Sequence, residues 1–261
     1  EKLRSLGTNL MVVFPGAVTS SGVRLGSGSR NTLTEGDAGA IQDEVPGVLA
    51  AAAGLRGTGQ LVNGNLNWST LIYGIAPEYL TAREWRVLRG RGLDENDVRS
   101  SAKVALVGQT VVRELFGGAS PIGRTIKINR INFTVIGVLP VKGMQFRNDQ
   151  DDVAVIPVTT AMYRLLGASY VSTIDVQVRG QELIAGAKTS IREILNRRHR
   201  LSPETEDAFE IMDLSEIREA ISSTTRTMSV LLGIVAAISL LVGGIGIMNI
   251  MLVSVKERVK E

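Results

Sequence analysis

From Thr227 to Val255 the chain carries no charged side chain, and this stretch limits what the protein can be more than any other. Its middle, Met228 to Val253, reads MSVLLGIVAAISLLVGGIGIMNIMLV. As a helix rising about 1.5 Å per residue it would reach roughly 39 Å, against a hydrocarbon core of about 30 Å. A backbone in lipid must satisfy its own hydrogen bonds, and a single apolar run does so only as a helix. The alternative is a buried helix of a soluble protein, but such helices are usually shorter and seldom apolar on every face. The position of the run, at the C-terminal end, excludes a signal peptide.

Lys256, Arg258 and Lys260 follow the run at once, while only Arg218 and Arg226 lie close before it. Basic residues favour the cytoplasmic side, so residues 1 to about 227 are expected to be extracytoplasmic and 256–261 cytoplasmic, by a margin of one basic residue. Gly233, Ala237, Gly243, Gly244 and Gly246 form a small-residue stripe. Gly243, Gly244 and Gly246 are its candidate helix-packing residues, since small side chains let another helix approach closely. The competing reading is simply that glycine is common in membrane helices. The lone polar Asn249 fits a bundle whose other helices lie outside this sequence. A start at Glu1 rather than Met likewise suggests a fragment.

Ahead of the span, Asp213-Leu-Ser-Glu216 resembles a capping box and predicts a helix starting near Leu214. Leu214, Ile217, Ile221, Thr224, Met228 and Leu231 then recur at spacings of three and four. This seam reads either as an amphipathic helix lying on its own domain or as a rigid stalk entering the membrane. The lack of Pro or Gly between Leu214 and Ser229 favours the stalk. The stalk and membrane helix together are expected over 214–255.

The preceding residues predict two interleaved α+β units. Thr8–Phe14 reads as a strand, and a Gly/Ser/Thr-rich loop follows from Gly16 to Leu33. Thr34-x-x-Asp37 can cap a helix to about Val45, and Val48–Arg56 and Trp68–Ile75 read as strands. Val171–Val178 alternates, Gln181–Arg198 is helical, and Ala208–Met212 closes as a strand. Strand–helix–strand twice over is the ferredoxin-like pattern. It is interrupted by a segment with its own apolar pattern: a strand at Val104–Val107, a helix at Gln109–Phe116 and a hairpin over Arg124–Leu139 turning at Asn129-Arg130. The predicted fold is therefore α+β, with one domain over 1–76 and 169–213 and a smaller β-rich domain inserted over 77–168.

Composition removes most chemistries. There is no Cys and one His, His199, so thiolate metal sites, cysteine nucleophiles and His-rich metal sites are absent, and no catalytic constellation is found. A charge of +3 from 29 basic and 26 acidic residues gives no ground for a nucleic-acid partner. Gly118–Thr125 resembles a phosphate-binding loop with Arg124 in place of Lys. Yet a helix precedes it, a strand follows, and Pro121 removes an amide donor, so it reads as a turn. Arg83, Arg86, Arg89 and Arg91 read as a solvated face, with lipid headgroups or an acidic partner as the alternative. Arg197, Arg198, His199 and Arg200 suit a helix C-terminus. Asn148–Asp152 lacks calcium-loop spacing and reads as an exposed loop.

The ordered set Gly74-Ile-Ala-Pro77, Ala105-Leu-Val-Gly108, Leu115-Phe-Gly117, Pro121-Ile-Gly123, Phe133-Thr-Val-Ile-Gly-Val138 and Gly243-Gly-Ile-Gly-Ile-Met-Asn-Ile-Met-Leu-Val-Ser-Val-Lys-Glu-Arg258 resembles MacB-type ABC transporter permeases of the FtsX superfamily. It covers most of the chain. The family usually has Asn-Gly where this sequence has Asn129-Arg130, which argues against a type I′ turn, because Arg disfavours positive φ.

The resemblance implies a porter domain interrupted by a Sabre domain, followed by the second of four membrane helices of an inner-membrane protein. It implies dimers driven by an ABC ATPase domain that binds ATP and Mg outside this chain, with no cofactor in the chain itself. It further implies partnership with a membrane-fusion adaptor and, in some systems, a TolC-like outer-membrane duct, expelling antibiotics, peptides or toxins by mechanotransmission. A mechanical relay like FtsX or LolC, activating cell-wall hydrolases or extracting lipoproteins, is the alternative within the superfamily. A bitopic sensor or membrane-anchored enzyme is the alternative from another class.

Overall fold

Leu10–Pro15 (β1) is apolar throughout and almost wholly buried, as a strand flanked and covered on both faces must be. The computed structural model describes residues 9–16, 19–20, 23–24, 32–83, 85–145, 148–201 and 208–258, without the side chains of 19–20, 23–24, 145, 148, 217–221, 253–254 and 256–258. Most of the loop expected over Gly16–Leu33 lies outside these residues; within it, Thr19–Ser20 (β2) pairs with Val23–Arg24 (β3). Helix α1 (Glu35–Glu44) starts where the sequence places it. The Asp37 carboxylate accepts hydrogen bonds from the Thr34 amide at 2.9 Å and hydroxyl at 2.8 Å.

Two long strands follow, β4 (Val48–Asn63) and β5 (Leu66–Ile75). Then come α2 (Pro77–Ala82), β6 (Arg89–Gly90), α3 (Glu95–Arg99), β7 (Val104–Val107) and α4 (Gln109–Phe116). Next are β8 (Thr125–Ile128), β9 (Ile131–Val138), β10 (Met144–Gln145), β11 (Asn148–Asp149) and β12 (Val153–Pro157). Helix α5 (Val158–Thr160) runs on as a π-helical turn over Ala161–Leu166. The chain returns through β13 (Thr173–Val178), α6 (Ile184–Arg198) and β14 (Phe209–Asp213), and finishes in α7 (Leu214–Arg258).

Most strands join one sheet in the order β14-β1-β13-β4-β5-β12-β7-β9-β6, with β8 paired to β4 and β9. The first four, β14-β1-β13-β4, are antiparallel to their neighbours and come from two strand–helix–strand halves. That is the ferredoxin-like arrangement the sequence predicts, its chain path interrupted between β4 and β13. Met11, Val13, Ala51, Ala53, Ile174 and Val176 pack with Ile41 of α1 and Ile191 and Leu195 of α6, so both helices cover one face. The same core continues through Leu61, Ile72, Val107, Phe133, Val135 and Ile156. The opposite face gathers Ala52, Ile75, Tyr79, Leu106, Val153 and Val155.

Strand β4 serves both parts of this sheet. Val48 to Gly54 pair with β13, while Gly54 to Asn63 pair with β5, and Leu61 and Val62 also pair with β8. The strand expected over Val48–Arg56 thus runs on to Asn63, through Gly57 and Gly59. Here the two glycines admit Leu166 and Ile72, whose side chains come within 3.1 and 3.0 Å of where a Cβ would stand.

Two motif glycines mark close approaches that leave no room for a side chain. A Cβ on Gly74 would lie 2.3 Å from the Ala161 Cβ, and one on Gly108 would lie 2.2 Å from the Asp151 carbonyl oxygen. The hairpin β8–β9 corrects the expectation about its turn. Both central residues have positive φ, 44° at Asn129 and 75° at Arg130, as a type I′ turn requires. Asn129 is fastened to β4: its amide donates to the Gln60 carbonyl at 3.1 Å and its Oδ1 accepts from the Gln60 amide at 2.9 Å.

Candidate functional site

Helix α7 runs uninterrupted for 45 residues from Leu214 to Arg258. At about 1.5 Å per residue it is roughly 67 Å long, more than twice the hydrocarbon thickness of a bilayer. The chain divides into two units, Glu1–Leu214 and Ser215–Glu261, so Leu214 closes the first. Leu214 packs on a small cluster of Leu10 from β1, Ala50 from β4 and Ala82 from α2. Asp213, which the sequence reading placed at the helix cap, is buried.

Within the second unit, Ser222–Leu252 is long and apolar enough to cross a membrane: its most apolar 18-residue stretch has a mean hydropathy of 2.6, and none of the span is buried. Leu240 is 79% exposed and Ile250 is 72% exposed. The hydroxyls of Thr227, Ser229 and Ser239 donate to the carbonyls of Ser223, Thr225 and Val235, one turn back, at 2.9–3.0 Å. Their hydrogen-bonding capacity is thus met inside the helix, as passage into lipid demands. Gly243, Gly244 and Gly246 meet no atom within 4 Å where a Cβ would stand, so the stripe is open. Of the predicted stalk seam, Leu214 is partly buried and Thr224 and Met228 are exposed, while the side chains of Ile217 and Ile221 lie outside the described residues.

In the first unit the charged residues singled out by sequence do other work. Arg83 belongs to no solvated face: its Nε donates to Asp175 Oδ1 at 2.9 Å, its NH2 reaches the same oxygen, and the Asp175 side chain is fully buried. Burial works against the Arg83 charge, but Asp175 outweighs it and raises the guanidinium pKa. Arg91 grips Asp97 through two hydrogen bonds, at 2.5 and 3.0 Å, and this holds the Asp97 carboxyl below the usual range. Arg86 and Arg89 are exposed, as expected.

Arg198 and His199 do more than complement a helix dipole. Arg198 Nε and His199 Nε2 meet the buried Asp37 carboxylate at 2.7 and 2.9 Å and tie the end of α6 to the start of α1, and Arg197 pairs with Glu44. Burial pushes the Asp37 carboxyl up, but hydrogen bonds from Arg198, the Thr34 amide and His199 outweigh it and leave the pKa lowered.

The acidic run before β12 also departs from the exposed loop expected of it. Asp149 accepts from Thr110, Asp151 from the amides of Lys142 and Gly143, and Asp152 from Trp68 Nε1 and the Thr70 hydroxyl. Their oxygens are fixed as acceptors for the protein itself. An open cavity of about 300 Å³ lies beside Thr58, Thr70, Asp149 and Asp152. A second, of about 220 Å³, lies between α1 and the start of α2, bordered by Glu35, Asp43 and Glu78. Burial, and then the neighbouring Glu78, raise the Glu35 pKa. Among the described residues no cluster of His, Asp or Glu is arranged to hold a metal. The segment Gly118–Thr125 is the turn between α4 and β8: Gly117 ends the helix with φ of 57°, and the Gly123 amide donates to Val135.

Residues 1–194 match the family described as the MacB-like periplasmic core domain. The whole chain aligns with proteins named macrolide export ATP-binding/permease protein MacB, at 51% identity in Chlorobium luteolum and 45% in Bdellovibrio bacteriovorus. It spans 39% and 40% of their respective lengths. The crystal structure of the periplasmic region of MacB from Actinobacillus actinomycetemcomitans superposes with a TM-score of 0.69 at 26% identity, covering 85% of this chain and 96% of that one. The extracellular domain of the ABC-type transporter YknZ from Gram-positive bacteria shares the fold, with a TM-score of 0.64 at 19% identity over 78% of this chain and all of that one. An α+β unit built on a ferredoxin-like sheet, followed by one long apolar helix, thus meets relatives that match it from end to end. The chain belongs to the MacB-like periplasmic core domain family.

Proposed function

We propose that this chain is the extracytoplasmic region and following membrane helix of an ABC-type export permease, and that it carries ATP-driven motion from the cytoplasm to the outer unit. The observation that supports this best is α7 itself. One helix begins at Leu214, packed within the outer fold, and continues without a break through the unburied apolar stretch Ser222–Leu252. A helix hydrogen-bonded along its length transmits push and rotation, which a hinged linker would dissipate. Residues 1 to about 227 lie outside the inner membrane in this reading, with Lys256 and Arg258 at its cytoplasmic face.

ATP and Mg bind in an ABC ATPase domain belonging to the longer protein, in keeping with the name of the relatives. The chain's own residues hold no cofactor and work by position. Gly243, Gly244 and Gly246 form the face on which another helix of a dimeric bundle packs, and Asn249 finds its hydrogen-bond partner there. A membrane-fusion adaptor and a TolC-like duct complete the export path. The cargo class follows the macrolide naming of the relatives.

Thr224→Pro in the full-length protein, reconstituted in liposomes with ATP and a labelled macrolide, tests the reading. Proline inside a helix costs about 3 kcal/mol or more and kinks it. The expected result is continued ATP hydrolysis with transport lost. Native transport by the kinked protein would overturn it.

A further inference from the structure

Asp175 stands in the middle of the ferredoxin-like sheet, between Val12 of β1 and Ala52 of β4. Its neighbours Ile174 and Val176 point into the core beneath α1 and α6, so Asp175 points to the opposite face, where α2 lies. Among the described residues its charge is answered by Arg83 alone, at the end of α2; Thr173 Oγ1 lies 3.5 Å from its other oxygen.

Arg83 in turn lies over the Tyr79 ring at 5.6 Å. Tyr79 meets Trp85 edge-on at 5.9 Å, and Trp85 meets Tyr73 of β5 at 6.4 Å. The residue before Arg83 is Ala82, which shares a cluster with Leu10, Ala50 and Leu214. Ala82, the last residue of α2, therefore faces the first residue of α7, and Arg83, just beyond it, faces the centre of β13. Strand β13 is also where the chain re-enters the ferredoxin-like sheet after the inserted segment.

A buried ion pair is a poor stabiliser, because desolvation offsets its attraction and apolar replacements of similar volume are often as stable. Its best-attested role is to fix register, since apolar contacts are non-directional and slide where two guanidinium donors converging on one buried carboxylate oxygen do not. We propose that the Arg83–Asp175 pair is a clasp that locks α2 onto β13, so that displacement of Leu214 by the stalk moves the inserted segment and the sheet as one body. This rests on the mechanical reading above and names the residues through which the outer unit receives the motion. Arg83 and Asp175 are positioning residues.

The test uses the full-length protein in liposomes and reads macrolide transported per ATP hydrolysed, together with thermal stability. Arg83→Met with Asp175→Leu removes both charges at similar volume. The expected result is a melting temperature near native and transport per ATP reduced on the order of tenfold, within the usual range of a coupling free energy. If the double variant does not accumulate, Arg83→Lys decides, because it keeps the charge and loses the fork; a severalfold drop in the same ratio is then expected. A native ratio in the accumulating variant overturns the clasp, whatever happens to the melting temperature. Failure of the underlying reading looks different: Thr224→Pro would then transport as well as the parent protein, with the clasp intact.

Discussion

The outer unit and the helix after it are made of the same residue types and treat them in opposite ways. Leu10, Ile72 and Phe133 are wholly buried by their own chain, while Leu240 and Ile250 of α7 are mostly exposed. Each such side chain is worth roughly 1.5–3 kcal/mol when removed from water. The outer unit collects that energy by folding, whereas α7 can collect it only from lipid or from other helices. One region is therefore specified by its own packing, and the other by the medium around it.

Core truncation gives the largest contrast. Phe133→Ala should cost the outer unit about 3–5 kcal/mol in denaturant unfolding, and Leu240→Ala should leave the same transition unmoved. Leu240→Arg should reverse the pattern, opposing membrane insertion by about 2.5–3.5 kcal/mol in an insertion assay while the outer unit unfolds as before. A shared loss from either helix substitution would break the distinction.

A smaller effect concerns acid. Asp37 has a lowered pKa in the fold, so its contribution is present above the unfolded value near 3.9 and is lost as pH falls through the folded one. Asp37→Asn should cost about 1–2 kcal/mol near neutral pH and flatten the stability profile of the outer unit below about pH 4. Thermal melts across that range check it, and an unchanged profile would mean that other carboxylates carry the acid response. The smallest expected effect is a gain. Arg130 holds φ at 75°, so Arg130→Gly should stabilise the hairpin by up to about 1 kcal/mol, read as a higher melting temperature.

What could be read from the sequence was what local signals encode. Thr34 and Asp37 announce α1, Gly117 stops α4, and the alternation of Ile126, Ile128, Phe133 and Val135 marks β8 and β9. The misses have physical reasons. Strand β12, Val-Ala-Val-Ile-Pro, is buried at all five positions and pairs in parallel with β5, so it shows no alternation to find. Asp94 and Asp97 form a capping box for α3, but at 5 residues the helix is too short to show a helical period.

Asp175 is the instructive case. In an alternating strand it reads as a solvent-facing residue, and it is buried only because α2, nearly a hundred residues earlier, covers that face of the sheet. The stalk helix was legible through its cap and its apolar run, whereas the ion pair needed the tertiary fold.

Strand β4 has a practical consequence for anyone who wishes to graft parts between relatives. Cutting at Pro77 and Ala168 would leave the far half of the β4–β5 hairpin stranded in the recipient, stripped of its ladders to β8 and β12. A transplant that respects the backbone must cross β4 near Gly54, where its partner changes from β13 to β5, and carry the hairpin along as cargo. Chimeras spliced at the loops would inherit raw sheet edges, and edges of that kind invite aggregation.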